Sequence, residues 1–360
     1  MEINLSKIFK SMVERGASDL FLRGGATPRV RVNGKIEVLD DNRLTRANLV
    51  AITASLIEHK ENREEFAKNL GMDFIHEEPG LGRFRINIFM QRTSPALVAR
   101  YVHEQVKSFE ELNLPGDLLE MLCAETKGLF LCCGPAGNGK STSIASMLDF
   151  INERQAKHIV TIEDPIEYLF KDKLSLINQR ELGIDVYSYP EALRDVTQQS
   201  PDIIYIGNIR DEATMKAAVT ATELGSYVIS TLHTVNAVQT IIRIINFFPP
   251  HFHEDVRMQL SLVLRGTMSL RLIPKKDGSG RVPALETMIV TPTIARLIRE
   301  GRIREIQNFI DEGELFGMTS FKKSLVNLVK SDLIDEGVAR RFSDSKDDFD
   351  LEMKGLKRSL

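Results

Sequence analysis

Eight consecutive residues, Gly134-Pro135-Ala136-Gly137-Asn138-Gly139-Lys140-Ser141, place a lysine and a hydroxyl directly behind a glycine-rich loop in the pattern G-x-x-x-x-G-K-[ST]. These residue types at this spacing suit phosphate. Glycine lets successive backbone N–H groups turn inward around phosphate oxygens, and a helix starting at the end of the loop adds the positive end of its dipole. Lys140 then reaches the β- and γ-phosphates, Ser141 holds Mg²⁺, and Thr142 continues the first helical turn. With glycine at about 7% of residues, a chance match somewhere in such a chain is on the order of 1%. The context lowers that further, because the apolar run Gly128–Cys133 leads in as a strand and Thr142–Ile151 leads out as a helix.

Hydrolysis of a nucleoside triphosphate needs more than a cradle. Groups near the γ-phosphate must orient water and hold the metal, and in an open α/β sheet such groups sit at the carboxyl ends of strands. Three later strand ends qualify. His158–Ile162 ends in Glu163-Asp164-Pro165, which reads either as a pair of carboxylates placed for water activation or as a plain acidic turn. Asp202–Ile206 ends in Gly207-Asn208-Ile209-Arg210-Asp211, where an acid belongs immediately after the strand. Asn208 stands there instead, and its amide bonds a metal-bound water without charge and without taking a proton. Tyr227–Thr231 ends in Leu232-His233-Thr234, and a lone histidine there is either structural or catalytic.

These strands require a parallel sheet covered by helices, and from Asp117 to about Leu272 the helix–strand alternation supplies one. Before it, the first hundred residues have a mixed α/β texture. Ile3, Ile8 and Met12 fall at helical spacing, Asp19–Leu22 and Arg29–Val32 read as strands, and Asn33-Gly34 is a hairpin turn. Leu44–Leu70 reads as helical, and Arg83–Phe89 and Val98–Val102 as strands. The predicted organisation is an N-terminal α/β domain over 1–106, a linker over 107–115, and an α/β phosphate-binding core over 116–290. A helical region over 291–345 follows, then a charged stretch over 346–360 that reads as a loose helix or a tail. With 360 residues, 42% hydrophobic and 27% charged, the chain has material for two buried cores. A net charge of −3, from 47 basic and 50 acidic residues, leaves no footprint for nucleic acid. Cys123, Cys132 and Cys133 form no disulfide framework and fit a reducing compartment. The absence of an apolar run of membrane-spanning length predicts a cytoplasmic protein that meets a membrane through a partner.

Together these motifs resemble the retraction ATPases of type IV pili, within the broader secretion-ATPase superfamily. The resemblance runs from Ala17-Ser18-Asp19-Leu20 to about residue 345. It includes Pro28–Gly34, Arg83–Phe89, the phosphate loop, Thr161–Glu167 as an Asp box, Ile206–Asp211 as Walker B and Ser230–Thr234 as a His box. Arg243–Pro249 is similar to the accessory retraction paralogue. No cysteine follows Cys133, so the four-cysteine insert of extension and secretion relatives is missing. The resemblance implies a PAS-like N-terminal domain, a RecA-like ATPase domain with a helical C-terminal appendage, bound ATP and Mg²⁺, a homohexamer, and an inner-membrane pilus platform protein as partner. It implies Glu163 as the water-polarising base, with Asn208, Arg210 and His233 beside it. It makes Arg83, Arg85 and Arg100 candidates to sense phosphate from the N-terminal domain, against the alternative of a solvated strand face. The chain departs from the family at Asn208 (glutamate), at Ser226 (histidine), at Gln198-Gln199-Ser200 (a charged stretch) and at Ala295 (arginine). Two functions follow: a motor ATPase with weakened hydrolysis, or a nucleotide-binding regulator working with an active paralogue.

Overall fold

The computed structural model describes residues 4–57, 60–102 and 105–356. It divides into two compact units, Met1–Gln105 with Glu167–Leu169, and Val106–Ile166 with Phe170–Leu360. The first unit contains α1 (Leu5–Glu14), β1 (Asp19–Arg23), β2 (Arg29–Val32), β3 (Lys35–Val38), α2 (Arg46–Leu56), α3 (Lys60–Asn69), β4 (Gly71–Glu78), β5 (Gly82–Gln91) and β6 (Ser94–Val102). Its strands form one antiparallel sheet in the order β3-β2-β1-β6-β5-β4.

Strict alternation sorts this sheet into two faces. Phe84, Ile86 and Ile88 of β5 join Leu20, Leu22, Leu97 and Ala99 in a core closed by Phe9 and Met12 of α1 and Leu49 and Ile52 of α2. Phe9 stacks on Phe84 with ring centroids 4.2 Å apart. The intervening residues Arg83, Arg85, Asp19, Arg31 and Arg100 make the other face polar. Asn33 and Gly34 join β2 to β3 with φ of 48° and 83°, the left-handed pair that a two-residue hairpin needs. The helical reading of Leu44–Leu70 resolves into two helices, because α2 ends at Ile57, which is buried in the core. Ile3 lies outside the described residues.

The second unit contains α4 (Gly116–Cys123), β7 (Gly128–Cys133), α5 (Lys140–Arg154), β8 (His158–Glu163), β9 (Leu176–Glu181), α6 (Tyr189–Thr197), β10 (Ile203–Ile206), α7 (Glu212–Glu223), β11 (Tyr227–Leu232), α8 (Ala237–Ile245) and α9 (His253–Val263). It continues with β12 (Leu264–Pro274), β13 (Arg281–Ile289), α10 (Pro292–Glu300), α11 (Ile306–Glu312), α12 (Phe321–Lys330), α13 (Glu336–Phe342) and α14 (Lys346–Met353). The sheet order is β13-β12-β7-β11-β10-β8-β9, parallel throughout except for β13.

Both faces of this RecA-like sheet are buried, which is why β7, β10 and β11 read as unbroken apolar runs. Leu129, Leu131, Val160, Ile204 and Val228 face α6 to α11. Phe130, Ile159, Ile203, Tyr227 and Ile229 face α4 and α5. Two stretches at the domain edges also contribute to the cores. In the stretch read as a linker, Phe109 and Leu114 are buried in the same layer as α4 and α5. Over residues 346–353, the charged stretch is a helix capped by Ser345, whose Phe349 is fully buried against Leu325, Ile334 and Ala339. Met353 of the same helix packs against that cluster as well.

Candidate nucleotide-binding site

All six residues of β7 are buried, so the chain leaves the sheet at Gly134 with no freedom to drift. The Gly134 N–H donates to Leu232 O at 3.2 Å. Its φ is 139°, and a Cβ there would lie 2.7 Å from Leu270 O, so only glycine fits this corner. Gly137 and Gly139 follow with φ of 75° and 88°. Asn138 braces the outside of the loop: its Oδ1 accepts the Leu272 N–H at 2.8 Å. From β13, Arg281 donates to Gly137 O at 3.4 Å. The 15-residue helix α5 then begins at Lys140 with a glycine N-cap and no side-chain capping bond. A helix N-terminus built this way receives anions.

Lys140 is only 7% exposed. Its Nζ donates to Gly134 O at 2.9 Å and Pro135 O at 3.1 Å, and lies 3.4 Å from His233 Nδ1. Burial, then the positive charges of Lys140 and Arg210, hold the His233 imidazole below its ordinary pKa. It is therefore neutral near pH 7, and Nδ1 accepts from the lysine. The loop and the end of β11 thus meet through a cation and a neutral ring. A cavity of about 560 Å³ opens beside them, lined in part by Arg210, His233, Gln239 and Arg243.

At the end of β8, Glu163 is 6% exposed. Thr161 Oγ1 donates to its Oε1 at 2.7 Å, and Gln179 Nε2 from β9 does so at 3.2 Å. These two donors fix the carboxylate's orientation. The neighbouring Asp164 takes Arg210, with Nη2 3.7 Å from Oδ2. In β10, Ile206 aligns with Ile162 of β8 and Ser230 of β11, so the residues after it emerge at the same rim. Gly207 N–H donates to Ile162 O at 2.8 Å, Thr231 Oγ1 to Gly207 O at 2.6 Å, and Ile209 N–H to Thr231 O at 3.1 Å. Asn208, held between these bonds, is 7% exposed and its Oδ1 has no hydrogen-bond partner. The buried Tyr189 hydroxyl is likewise unpartnered. It would stand 3.1 Å from a Cβ at Gly207, which is glycine.

Lys140 and His233 therefore come into contact, and Glu163, Asn208 and Arg210 share one rim of the sheet with them. Arg83, Arg85 and Arg100 belong to the first unit, on the polar face of its sheet. There each has an acidic neighbour: Glu77 at 3.5 Å, Asp73 at 3.7 Å and Asp19 at 3.0 Å respectively. Of the departures noted in the sequence, Ser226 and Gln198–Ser200 lie at the amino ends of β11 and β10. Ser226 Oγ donates to Pro201 O at 3.0 Å. Because β11 spans six residues, roughly 20 Å at 3.3 Å per residue, Ser226 is remote from the phosphate loop. Ala295 sits within α10. Asn208 alone among these departures is at the rim. Sequence reasoning missed Thr161, Gln179 and Tyr189; the period-two spacing of Thr161 and Glu163 on one strand was the available signal for the first.

Among the described residues no group of three or more His, Cys, Asp or Glu side chains is placed to hold a metal. The Ser141 hydroxyl and the unpartnered Asn208 oxygen are instead hard oxygen donors. Such donors fit Mg²⁺, which keeps most of its shell as water and phosphate oxygens.

A family described as type II/IV secretion system protein matches residues 1–313. The type IV pilus ATPase PilU of Pseudomonas aeruginosa is 36% identical over 356 residues, covering 98% of this chain and 92% of PilU. The type IV pilus retraction ATPase PilT of the same organism is 38% identical over 338 residues, covering 94% and 97%. A crystal structure of the pilus retraction motor PilT with bound ADP superposes with a TM-score of 0.87 at 40% identity, covering 96% of this chain and 99% of that one. The Legionella pneumophila ATPase DotB shares the fold, with a TM-score of 0.82 at 21% identity.

Proposed function

The chain belongs to the type II/IV secretion ATPase family, in its PilT/PilU-like pilus-retraction branch, and from that membership we propose that it is an ATP-driven motor subunit of pilus retraction and twitching motility. The observation that carries the proposal is the stapled loop 134–139 with Lys140 retracted onto its carbonyls. Phosphate oxygens outcompete those carbonyls for the lysine, because they carry formal negative charge and the carbonyls carry none. Gly134 to Thr142 supply the cradle, and Ser141 and Asn208 would hold Mg²⁺, the latter through water. When bound, Mg²⁺ neutralises charge building on the β- and γ-phosphates.

Glu163, aimed by Thr161 and Gln179, takes the proton of the attacking water. Neutral His233 accepts from Lys140 and keeps that lysine at the loop, and Arg210 tethers the Asp164 turn behind the base. The subunits form a homohexamer in which Arg83, Arg85 and Arg100 complete a neighbour's nucleotide site from a PAS-like sensing domain. The ring works in the cytoplasm on an inner-membrane platform protein; no described helix is long and apolar enough to cross a membrane.

The neutral Asn208 favours a second reading, a slow or silent subunit acting with an active paralogue. Calorimetric titration with Mg-ATP, followed by a steady-state ATPase assay with and without Mg²⁺, tests the proposal. Wild type binds and turns over ATP only with Mg²⁺, and Lys140→Ala, still folded, loses binding. Unchanged affinity in Lys140→Ala would remove the loop from the nucleotide site, and binding without turnover would leave the regulator.

A further inference from the structure

A buried carboxylate outside the rim has no part in the mechanism above. Glu286 lies in the middle of β13, is 3% exposed, and pairs across the ladder with Ser269 of β12. Its Oε1 accepts the backbone N–H of Ala237, the first residue of α8, at 2.8 Å. The Gln307 side chain of α11 lies close enough to lower its pKa. The same helix start is capped by Asn236, whose Oδ1 accepts the Gln239 N–H at 2.8 Å. An anion at a helix N-terminus is well placed, yet burying one is costly, and apolar packing would close this site without it.

What the carboxylate holds explains the cost. Between His233 and α8 lie only Thr234, Val235 and Asn236. Thr234 and Thr240 share a hydroxyl–hydroxyl bond of 2.6 Å, and Thr240 Oγ1 lies 3.3 Å from Cys133 Sγ. Cys133 immediately precedes Gly134 of the phosphate loop. From Glu286 a continuous run of bonds therefore reaches α8, the His233–Thr234 segment and the base of the loop.

We propose that Glu286 is a positioning residue for ATP turnover: its buried carboxylate clamps the N-terminus of α8 and so fixes His233 against Lys140. The inference rests on the nucleotide-site reading given above. Glu286 touches neither nucleotide nor metal and acts through the α8 start.

Burial pushes the Glu286 carboxyl up to about 7, against the lowering pull of the Ala237 and Gln307 hydrogen bonds and the Arg271 charge. The charged and titratable groups facing it are Arg271 of β12, Asp344 beyond α13, and Cys133 of β7, whose thiol is raised by its own burial. Arg271 is itself paired with Asp344 at 2.8 Å. The clamp is therefore charged above about pH 7 and weakens below it. Stability runs the other way. The folded-state value lies above the ordinary 4.5, so the group's contribution to stability is full below 4.5 and is lost as pH rises through about 7.

The test is kcat and KM across pH for wild type, Glu286→Gln and Glu286→Asp, with fluorescent-ATP affinity and melting temperature measured on the same samples. Wild-type kcat should fall on acidification through about 7. Glu286→Gln should lose that inflection and run roughly tenfold slower above it, with KM and nucleotide affinity within about twofold. It should also melt higher than wild type near pH 8, with the gap closing toward pH 5. Glu286→Asp keeps the charge and should retain the inflection; it also serves if the Gln variant does not fold. A Gln variant with wild-type kcat and the wild-type pH profile overturns the proposal. So does a wild type that binds ATP without turning it over, whereas a wild type that binds no ATP overturns the nucleotide-site reading as well.

Discussion

An amide at position 208 keeps the shape of a short acidic side chain and removes its charge. Its buried Oδ1 has no partner, so it remains an acceptor for a metal-bound water, at about half the strength a carboxylate would give. Gly134 is the opposite case, a residue whose lack of a side chain is its function. With φ at 139° and Leu270 O 2.7 Å from any Cβ, Gly134→Ala should displace the loop and weaken ATP binding by at least about tenfold, or about 1.4 kcal/mol, read by calorimetry. Tyr189 offers a clean third probe. Its hydroxyl is buried without a partner beside the charges of Asp164 and Arg210, and burial drives its pKa up. Tyr189→Phe removes an unsatisfied polar group and should leave the fold as stable as wild type or up to about 1 kcal/mol more stable by denaturant titration. A loss of stability would mean that the hydroxyl is bonded in solution.

The elements that carry the loop were legible because each obeys a strong local rule. The apolar run of β7, the glycine spacing and the helix after it need no tertiary information. Elements whose identity depends on neighbours were not legible. Edge strand β9, Leu176–Glu181, has four polar residues in a row after Ile177 and no apolar–polar alternation, and becomes a strand through its ladder with β8. Consequently Gln179, which aims Glu163, could not be read from a sequence 16 positions away. Glu286 looks like one polar residue in an apolar strand, and only the packing of α8 shows what it holds. Helix α14 hides behind its charge, with Phe349 buried in the cluster of α12 and α13 and Met353 packed against it. Phe349→Ala should cost about 3 kcal/mol of stability in denaturant titration, while Mg-ATP affinity stays unchanged, because the phosphate loop takes no residue from that cluster. An equal loss of affinity would tie α14 to the nucleotide site.

At the scale of the whole molecule, turnover is proposed to need a ring, and Arg100 tests that apart from the fold. Its ion pair with the buried Asp19 is 3.0 Å long, and Arg31 pairs with the same carboxylate at 3.2 Å, so Asp19 stays compensated without Arg100. Arg100→Ala should therefore fold, bind ATP, and lose about tenfold or more in ATPase rate, measured with the hexamer confirmed by light scattering. Full turnover in that variant, or in a monomer, would place the whole site within one subunit. The central claim is that this chain hydrolyses ATP at the rim of β7, β8, β10 and β11, held back by the amide at Asn208. The most direct measurement is kcat of wild type against Asn208→Glu, at saturating Mg-ATP and equal oligomeric state. A restored carboxylate gains one to a few kcal/mol of transition-state stabilisation, so Asn208→Glu should run about tenfold to a hundredfold faster, with affinity nearly unchanged. A variant no faster than wild type, in an intact ring that binds ATP, would contradict the account.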